Sequence, residues 1–139
     1  MSHVLTTPLG EWQAWLATAP SNIGIGIDLE DVARWRGLLR LDALFTQAER
    51  EYCESKAQPA EHYAGHWCAK EAAFKALSGF MTVGLRELEV CHRQGGAPTI
   101  ELISHSDTYR EVVRQRLHIS ITHTPTLAAA LAVYLPPTP

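Results

Sequence analysis

The stretch Ile23 to Glu30, Ile-Gly-Ile-Gly-Ile-Asp-Leu-Glu, restricts the fold more than any other part of this chain. Apolar residues fall at every second position: Ile23, Ile25, Ile27 and Leu29. Side chains of a strand alternate between faces, so these four share one face. Gly24, Gly26, Asp28 and Glu30 share the other. Two glycines leave that second face bare, which lets another backbone or a helix approach closely. The stretch is therefore a strand with an apolar side and a bare side that ends in two acids.

The rest of the chain supplies helices to meet that strand. Pro59 to Leu77 is the longest, with Pro59 in its first turn and Ser78-Gly79 at its end. Thr46 to Ser55 is a second helix, because Thr46 and Glu49 have capping-box spacing. Asp31 to Leu41 reads as another, capped by Asp31 and striped by Val32, Trp35, Leu38 and Leu39. Asp107 to Arg116 is a fourth. Phe80 to Gly84 is expected to be loop, followed by strands near Glu87–His92 and Thr99–Ile103 that the Gly95-Gly96 turn joins. His118–Thr122 is a strand, and Thr126–Tyr134 has alanines that favour helix but a position that favours a closing strand. Strands interleaved with helices of unequal length give an α+β domain.

At 139 residues the chain is expected to form one domain, large enough to bury roughly two-thirds of its unfolded surface. Residues 1–21 read as an N-terminal helical extension, residues 22–135 as the main domain and residues 136–139 as a disordered tail. In the extension, Thr7 and Pro8 suit a helix start, and Trp12, Trp15, Leu16 and Ala19 share a face. That face would dock on the chain's own core or on another subunit.

Charge and composition exclude several classes. The net charge of −3 argues against nucleic-acid binding, which wants a basic face. No apolar stretch approaches the roughly 20 residues that span a bilayer, and no signal peptide is expected. The three cysteines, Cys53, Cys68 and Cys91, are odd in number and widely spaced, so reduced thiols in a cytoplasmic protein are expected. His62 and His66 have a zinc-compatible spacing but lack an HExxH arrangement and a third ligand. Ser120 and His123 lack a nucleophile elbow, and Gly24 and Gly26 lack the third glycine of a dinucleotide fingerprint.

The acids carry the chemistry. Asp28 and Glu30 project from one strand face and Glu71 lies on the long helix. If that helix packs over the glycine face, three carboxylates converge. Two such charges about 4 Å apart repel by roughly 4 kcal/mol at an effective dielectric near 20, so the cluster needs a cation or a shared proton. All-oxygen ligation favours Mg²⁺ or Mn²⁺. Lys70 adjoins Glu71, and Lys75 follows it by four positions on the same helical face. The same residues also allow an ordinary surface pair between Glu71 and Lys75, and a strand-end acid that caps the next helix.

Taken together the segments resemble a known family. Ile23-Gly24-Ile25-Gly26-Ile27-Asp28 is similar to the opening strand of the 4'-phosphopantetheinyl transferase superfamily. Trp67-Cys68-Ala69-Lys70-Glu71-Ala72-Ala73-Phe74-Lys75-Ala76-Leu77 resembles its WxxKEAxxKAL helix, and His118-Ile119-Ser120-Ile121-Thr122-His123 resembles its Ser-Ile-Ser-His strand. Phe45-Thr46, Glu49, Tyr52-Cys53 and Gly96-Ala97-Pro98 fit between them, and the length matches the single-length, holo-acyl-carrier-protein synthase-like branch.

The resemblance implies an antiparallel sheet packed against a long helix, and an enzyme that transfers phosphopantetheine from coenzyme A to a serine of an apo acyl carrier protein. It implies Mg²⁺ on Asp28 and Glu71, completed by Glu30 or Asp31; strand alternation favours Glu30, which faces the same way as Asp28. Asp28, Glu71 and Lys75 would be catalytic, with Glu71 the first candidate to take the serine proton. Lys75, Lys70, His123, Ser120 and His66 would contact coenzyme A. Arg34, Arg36 and Arg40 would contact the carrier protein, Arg34 at the position of a family arginine. A homotrimer with sites between subunits is implied, His123 approaching from a neighbour. The chain departs from the branch in having His66 for an arginine, Ala97 for a lysine, Ser78-Gly79-Phe80 for Gly-Thr-Gly, and Thr122 for a serine. An inactive relative that only binds carrier protein, or another Mg²⁺-dependent phosphoryl-transfer enzyme, stays open at this point.

Overall fold

A computed structural model describes residues 22–37 and 40–138. The N-terminal helix expected within residues 1–21 lies outside the described residues. Strand β1 (Gly24–Asp31) is followed by helices α1 (Gln47–Glu54) and α2 (Pro59–Leu77), the hairpin strands β2 (Leu88–His92) and β3 (Pro98–Leu102), helix α3 (Asp107–Arg116), and strands β4 (Leu117–His123) and β5 (Leu127–Tyr134). Short 3₁₀ turns cover Val32–Trp35, Leu41–Ala43 and Leu85–Glu87. Residues Leu135 to Thr138 form no element. No described helix is long and apolar enough to cross a membrane.

Two antiparallel sheets result, one of order β1-β5-β4 and one hairpin, β2-β3. Ile27 pairs with Leu131, and Leu131 with Ser120. Thr126–Tyr134, ambiguous in sequence, is a strand from Leu127. It is the centre of its sheet and pairs on both edges, and that pairing overrides the helix propensity of its alanines.

The glycines of β1 explain how α2 docks. A Cβ on Gly24 would collide with the carbonyl of Ala76, and one on Gly26 with the carbonyl of Ala72. The helix answers with Ala69, Ala72, Ala73 and Ala76, and β5 with Ala128, Ala130 and Ala132, all buried. Small residues on every side bring helix and sheet into close contact. The opposite face of β1 stays open: Ile25, Ile27 and Leu29 are 59, 67 and 64% exposed.

At the N-terminal end of α2 the core is aromatic. Phe45 packs against Trp35, Tyr63 and Trp67 with ring centroids 5.5, 5.0 and 6.1 Å apart. The capping box of α1 forms as its spacing predicts, Thr46 accepting from the Glu49 amide and Glu49 from the Thr46 amide.

Over the described residues Asp31–Gly37 the helix expected for Asp31–Leu41 is reduced to one 3₁₀ turn, Val32–Trp35, and Leu38 and Leu39 of its expected stripe lie outside the described residues. Asp31 makes no side-chain cap bond. One turn already buries Val32 and Trp35, and Gly37 then takes φ +72°, a left-handed conformation that ends a right-handed helix. Arg34, Arg36 and Arg40 are therefore not neighbours on one helix. Arg34 sits on the turn, Arg36 is extended, and Arg40 precedes the next turn.

Candidate active site

The close contact of α2 with β1 brings Asp28, Glu30 and Glu71 into one electrostatic field. The Glu71 carboxyl is held above its ordinary value by burial first and by the Asp28 charge next; Lys75 opposes this and Glu30 adds to it. Asp28 uses one oxygen: Lys75 Nζ donates to its Oδ1 at 3.1 Å and to the Ile27 carbonyl at 2.8 Å. Its Oδ2 is buried with no partner. Glu30 accepts from Arg34 Nη1 at 3.1 Å. Asp31, the other acid weighed, lies on the opposite face of the strand by alternation and is exposed.

Among the described residues, no three histidine, cysteine, aspartate or glutamate side chains stand close enough to hold an ion by themselves. The acids meet as charges and leave a lone pair of Asp28 unsatisfied in a buried place. That donor set suits a hard cation that takes one or two protein carboxylates and completes its shell with water and phosphate oxygens. Cys68 lies beside the acids as a neutral filler. Burial, then the charges of Asp28 and Glu30, push its thiol up to about 12.

Lys70 does not join this group. Adjacent helical positions face about 100° apart, and Lys70 points into the core, where its Nζ donates to Glu49 Oε2 and to the Leu44 carbonyl, both at 2.9 Å. The second oxygen of Glu49 accepts from the Val90 amide at 2.8 Å, so one ion pair ties α1, α2 and β2 together. The sequence expectation that Lys70 reaches phosphate is corrected by this burial.

His66 and His123 meet elsewhere. They line a cavity of about 150 Å³ with Tyr52, Glu61, His62 and His92. His66 and Glu71 are about 140° apart around the helix, so within one chain this cavity and the acids open on different sides of α2. Ser120 lies on the exposed outer face of β4, the face opposite His123 by alternation. Of the arginines, Arg36 Nη2 donates to the Pro125 carbonyl at 3.4 Å, and Arg40 is exposed.

A sequence model of the 4'-phosphopantetheinyl transferase superfamily matches residues 24–131, most of the chain and both halves of this geometry. The chain belongs to the 4'-phosphopantetheinyl transferase superfamily. The holo-[acyl-carrier-protein] synthase of Anaeromyxobacter dehalogenans is 35% identical to this transferase over 122 residues, covering 80% of this chain and 94% of its own length. The solved acyl carrier protein synthase of Mycobacterium tuberculosis superposes with a TM-score of 0.62 at 32% identity, covering 84% of this chain and 100% of that one. The Helicobacter pylori holo-[acyl-carrier-protein] synthase, solved in complex with coenzyme A, gives a TM-score of 0.65 at 25% identity over 80% of this chain and 99% of that one.

Two residues of the transferase's histidine cavity, His92 and Glu61, were not singled out from sequence, and Tyr52 was noted only as a motif landmark. His92 had a legible signal: it shares the core-facing register of Leu88 and Val90 on β2, where a polar side chain needs a reason. Tyr52 stacks on His92 with ring centroids 3.9 Å apart. Glu61 pairs with His123 Nδ1 at 3.0 Å, and no local pattern announces a partner that distant in sequence.

Proposed function

We propose that this transferase moves the 4'-phosphopantetheine group of coenzyme A onto a serine of an apo acyl carrier protein and releases 3',5'-ADP. The observation that carries the reading is the meeting of Asp28 and Glu71 across β1 and α2, with Lys75 beside them and Asp28 Oδ2 unpartnered. Asp28 and Glu71, with Glu30 beside them, would hold Mg²⁺, which would supply positive charge beside the diphosphate. Lys75, on a flexible and partly exposed stem, offsets phosphate charge once it swings from Asp28. Glu71, the carboxylate of α2 that stands beside Asp28, would take the proton from the serine hydroxyl, directly or through a water, as the new oxygen–phosphorus bond forms and the bond to 3',5'-ADP breaks.

The nucleotide end of coenzyme A is assigned to His66 and His123. Because that cavity opens away from the acids of its own chain, a complete site needs the acids of one subunit and the histidines of another. The exposed face formed by Ile25, Ile27, Leu29 and Leu131 gives a second copy an apolar surface to cover, in keeping with the homotrimer that the resemblance implies. Arg34, whose side chain is 70% exposed, would meet acidic groups of the carrier protein. Free cysteines throughout the described chain are in keeping with a cytoplasmic location.

The test is to incubate apo acyl carrier protein with the transferase, coenzyme A and Mg²⁺ and to weigh the product. A phosphopantetheine-sized gain on one serine, lost in Glu71→Ala, is the expected result. An unmodified carrier with every apo protein of a broad panel would contradict the reading.

A further inference from the structure

Four histidines from three elements surround the second cavity: His62 and His66 on α2, His92 at the end of β2 and His123 at the end of β4. They form two pairs. His66 Nε2 lies 2.9 Å from His92 Nε2, and the two rings stack on Tyr52 at 5.2 and 3.9 Å. The His62 ring meets the His123 ring edge-on at 5.3 Å.

The hydrogen bonds fix the tautomers of the inner pair. His92 Nδ1 faces the Gly96 carbonyl at 3.3 Å and so carries a proton, which makes His92 Nε2 the acceptor and His66 Nε2 the donor. His66 Nδ1 is then a buried acceptor without a partner, on a side chain only 2% exposed. It is the one position in this pair where a further proton can be added without breaking an existing bond.

The charges around the cluster disfavour that proton when no anion is present. Lys56, at the end of α1, sits 4.4 Å over the Tyr52 ring, and Lys70 lies one turn beyond His66. Burial, with repulsion from His123 and then Lys56, lowers His62. Burial, then His92, His62 and Lys70, lowers His66 to about 3, and burial lowers His92. Glu61 is the only carboxylate lining the cavity among the described residues, and it is engaged with His123. Among the described residues no arginine or lysine lines the cavity either. A phosphate that enters therefore meets imidazoles in the cavity, with Lys56 at its rim over Tyr52, and its own negative charge supplies what the imidazoles lack to hold a proton.

We propose that the phosphate-bearing nucleotide end of the substrate binds this cavity together with a proton taken up by the His62, His66 and His92 imidazoles, with His62 and His92 as binding residues beside His66 and His123. This rests on the assignment of coenzyme A as substrate. A site built on arginine or lysine holds its anion equally across neutral pH. This one weakens as pH rises, toward about tenfold per pH unit where a whole proton is taken up.

Titration calorimetry of the full chain with coenzyme A and Mg²⁺ tests it, run at pH 7.5 in two buffers of different ionisation enthalpy and repeated from pH 7 to 8.5. That range lies above the second ionisation of a phosphomonoester, near pH 6, so the ligand's own titration does not intrude. The expected result is an apparent enthalpy that differs between buffers by a measurable proton uptake, with affinity falling as pH rises. His92→Gln, which keeps a hydrogen-bonding side chain of similar length but cannot titrate, should reduce the uptake and flatten the pH profile. His66→Arg should abolish the uptake while binding persists at pH 8.5. Coenzyme A bound with a buffer-independent enthalpy would overturn this inference alone, as would uptake unchanged in His92→Gln. No binding of coenzyme A at any pH would overturn the proposed function and this inference with it.

Discussion

Lys70 and Glu71 are consecutive residues of one helix, and their surroundings are opposites. Lys70 is 1% exposed, and its ammonium is shared between the Glu49 carboxylate and the Leu44 carbonyl. Glu49 in turn accepts from two backbone amides as well, so both oxygens of the buried carboxylate are paired. Glu71 faces β1, where its nearest charges include two further acids that raise its proton affinity, and where Asp28 Oδ2 lacks any partner. A buried ion pair with its carboxylate satisfied holds elements together; a part-buried cluster of like charges with an unsatisfied oxygen waits for something else to complete it. The two sides of the helix thus separate what keeps this transferase folded from what equips it to act.

Substitutions at the two neighbours should pull these roles apart. Lys70→Ala leaves the Glu49 carboxylate buried and uncompensated and should cost about 3–5 kcal/mol of stability, read by urea unfolding. Glu71→Gln should leave the unfolding midpoint unchanged or slightly raised, yet slow phosphopantetheine transfer by about 10²–10⁴-fold, the usual weight of a general base. Equal losses of stability in both variants would erase the distinction. Gly26→Ala tests the contact that brings the acids together. Its methyl would meet the Ala72 backbone carbonyl, which cannot turn aside as a side chain can. A cost of about 1–3 kcal/mol, with a transfer rate lowered beyond what unfolding explains, is expected.

Smaller effects sharpen the same contrast. His66 is held neutral in the folded chain with its value lowered from 6.5 to about 3. A lowered value means that the unfolded chain binds the proton first. The stability this group contributes is therefore present above about pH 6.5 and is lost as pH falls toward 3. Thermal melts from pH 7 to 4 should show a shallower decline in His66→Gln than in the natural chain. Arg34→Glu should raise the KM for carrier protein a few-fold and leave coenzyme A affinity unchanged. A change in coenzyme A affinity alone would move Arg34 out of the carrier surface.

Legibility in sequence followed locality. The alternation of Ile23–Glu30, the capping box at Thr46 and Glu49, and the Pro59–Leu77 helix were readable because each depends on neighbours a few residues apart. The glycine face of β1 even announced that a helix backbone would lie against it. The Asp31–Leu41 helix was misread because Val32 and Trp35 satisfy one turn as well as they begin a longer helix. Lys70 was misread for a different reason. Its sequence neighbour is Glu71, but its partner is Glu49, and only the packing of α1 on α2 reveals that pairing. The histidine cavity was half visible, since His66 and His123 came from motif positions, whereas His92, Tyr52 and Glu61 join them through tertiary contact.

The claim at the centre is that Asp28 and Glu71 act as a unit across the strand–helix contact. Transfer rates of Asp28→Asn, Glu71→Gln and the double variant, each measured across a Mg²⁺ titration, test it most directly. Residues that serve one centre lose activity non-additively, so the double variant should be little slower than the slower single variant, and both singles should need more Mg²⁺. Losses that multiply in the double variant, with Mg²⁺ dependence unchanged in either single, would contradict it.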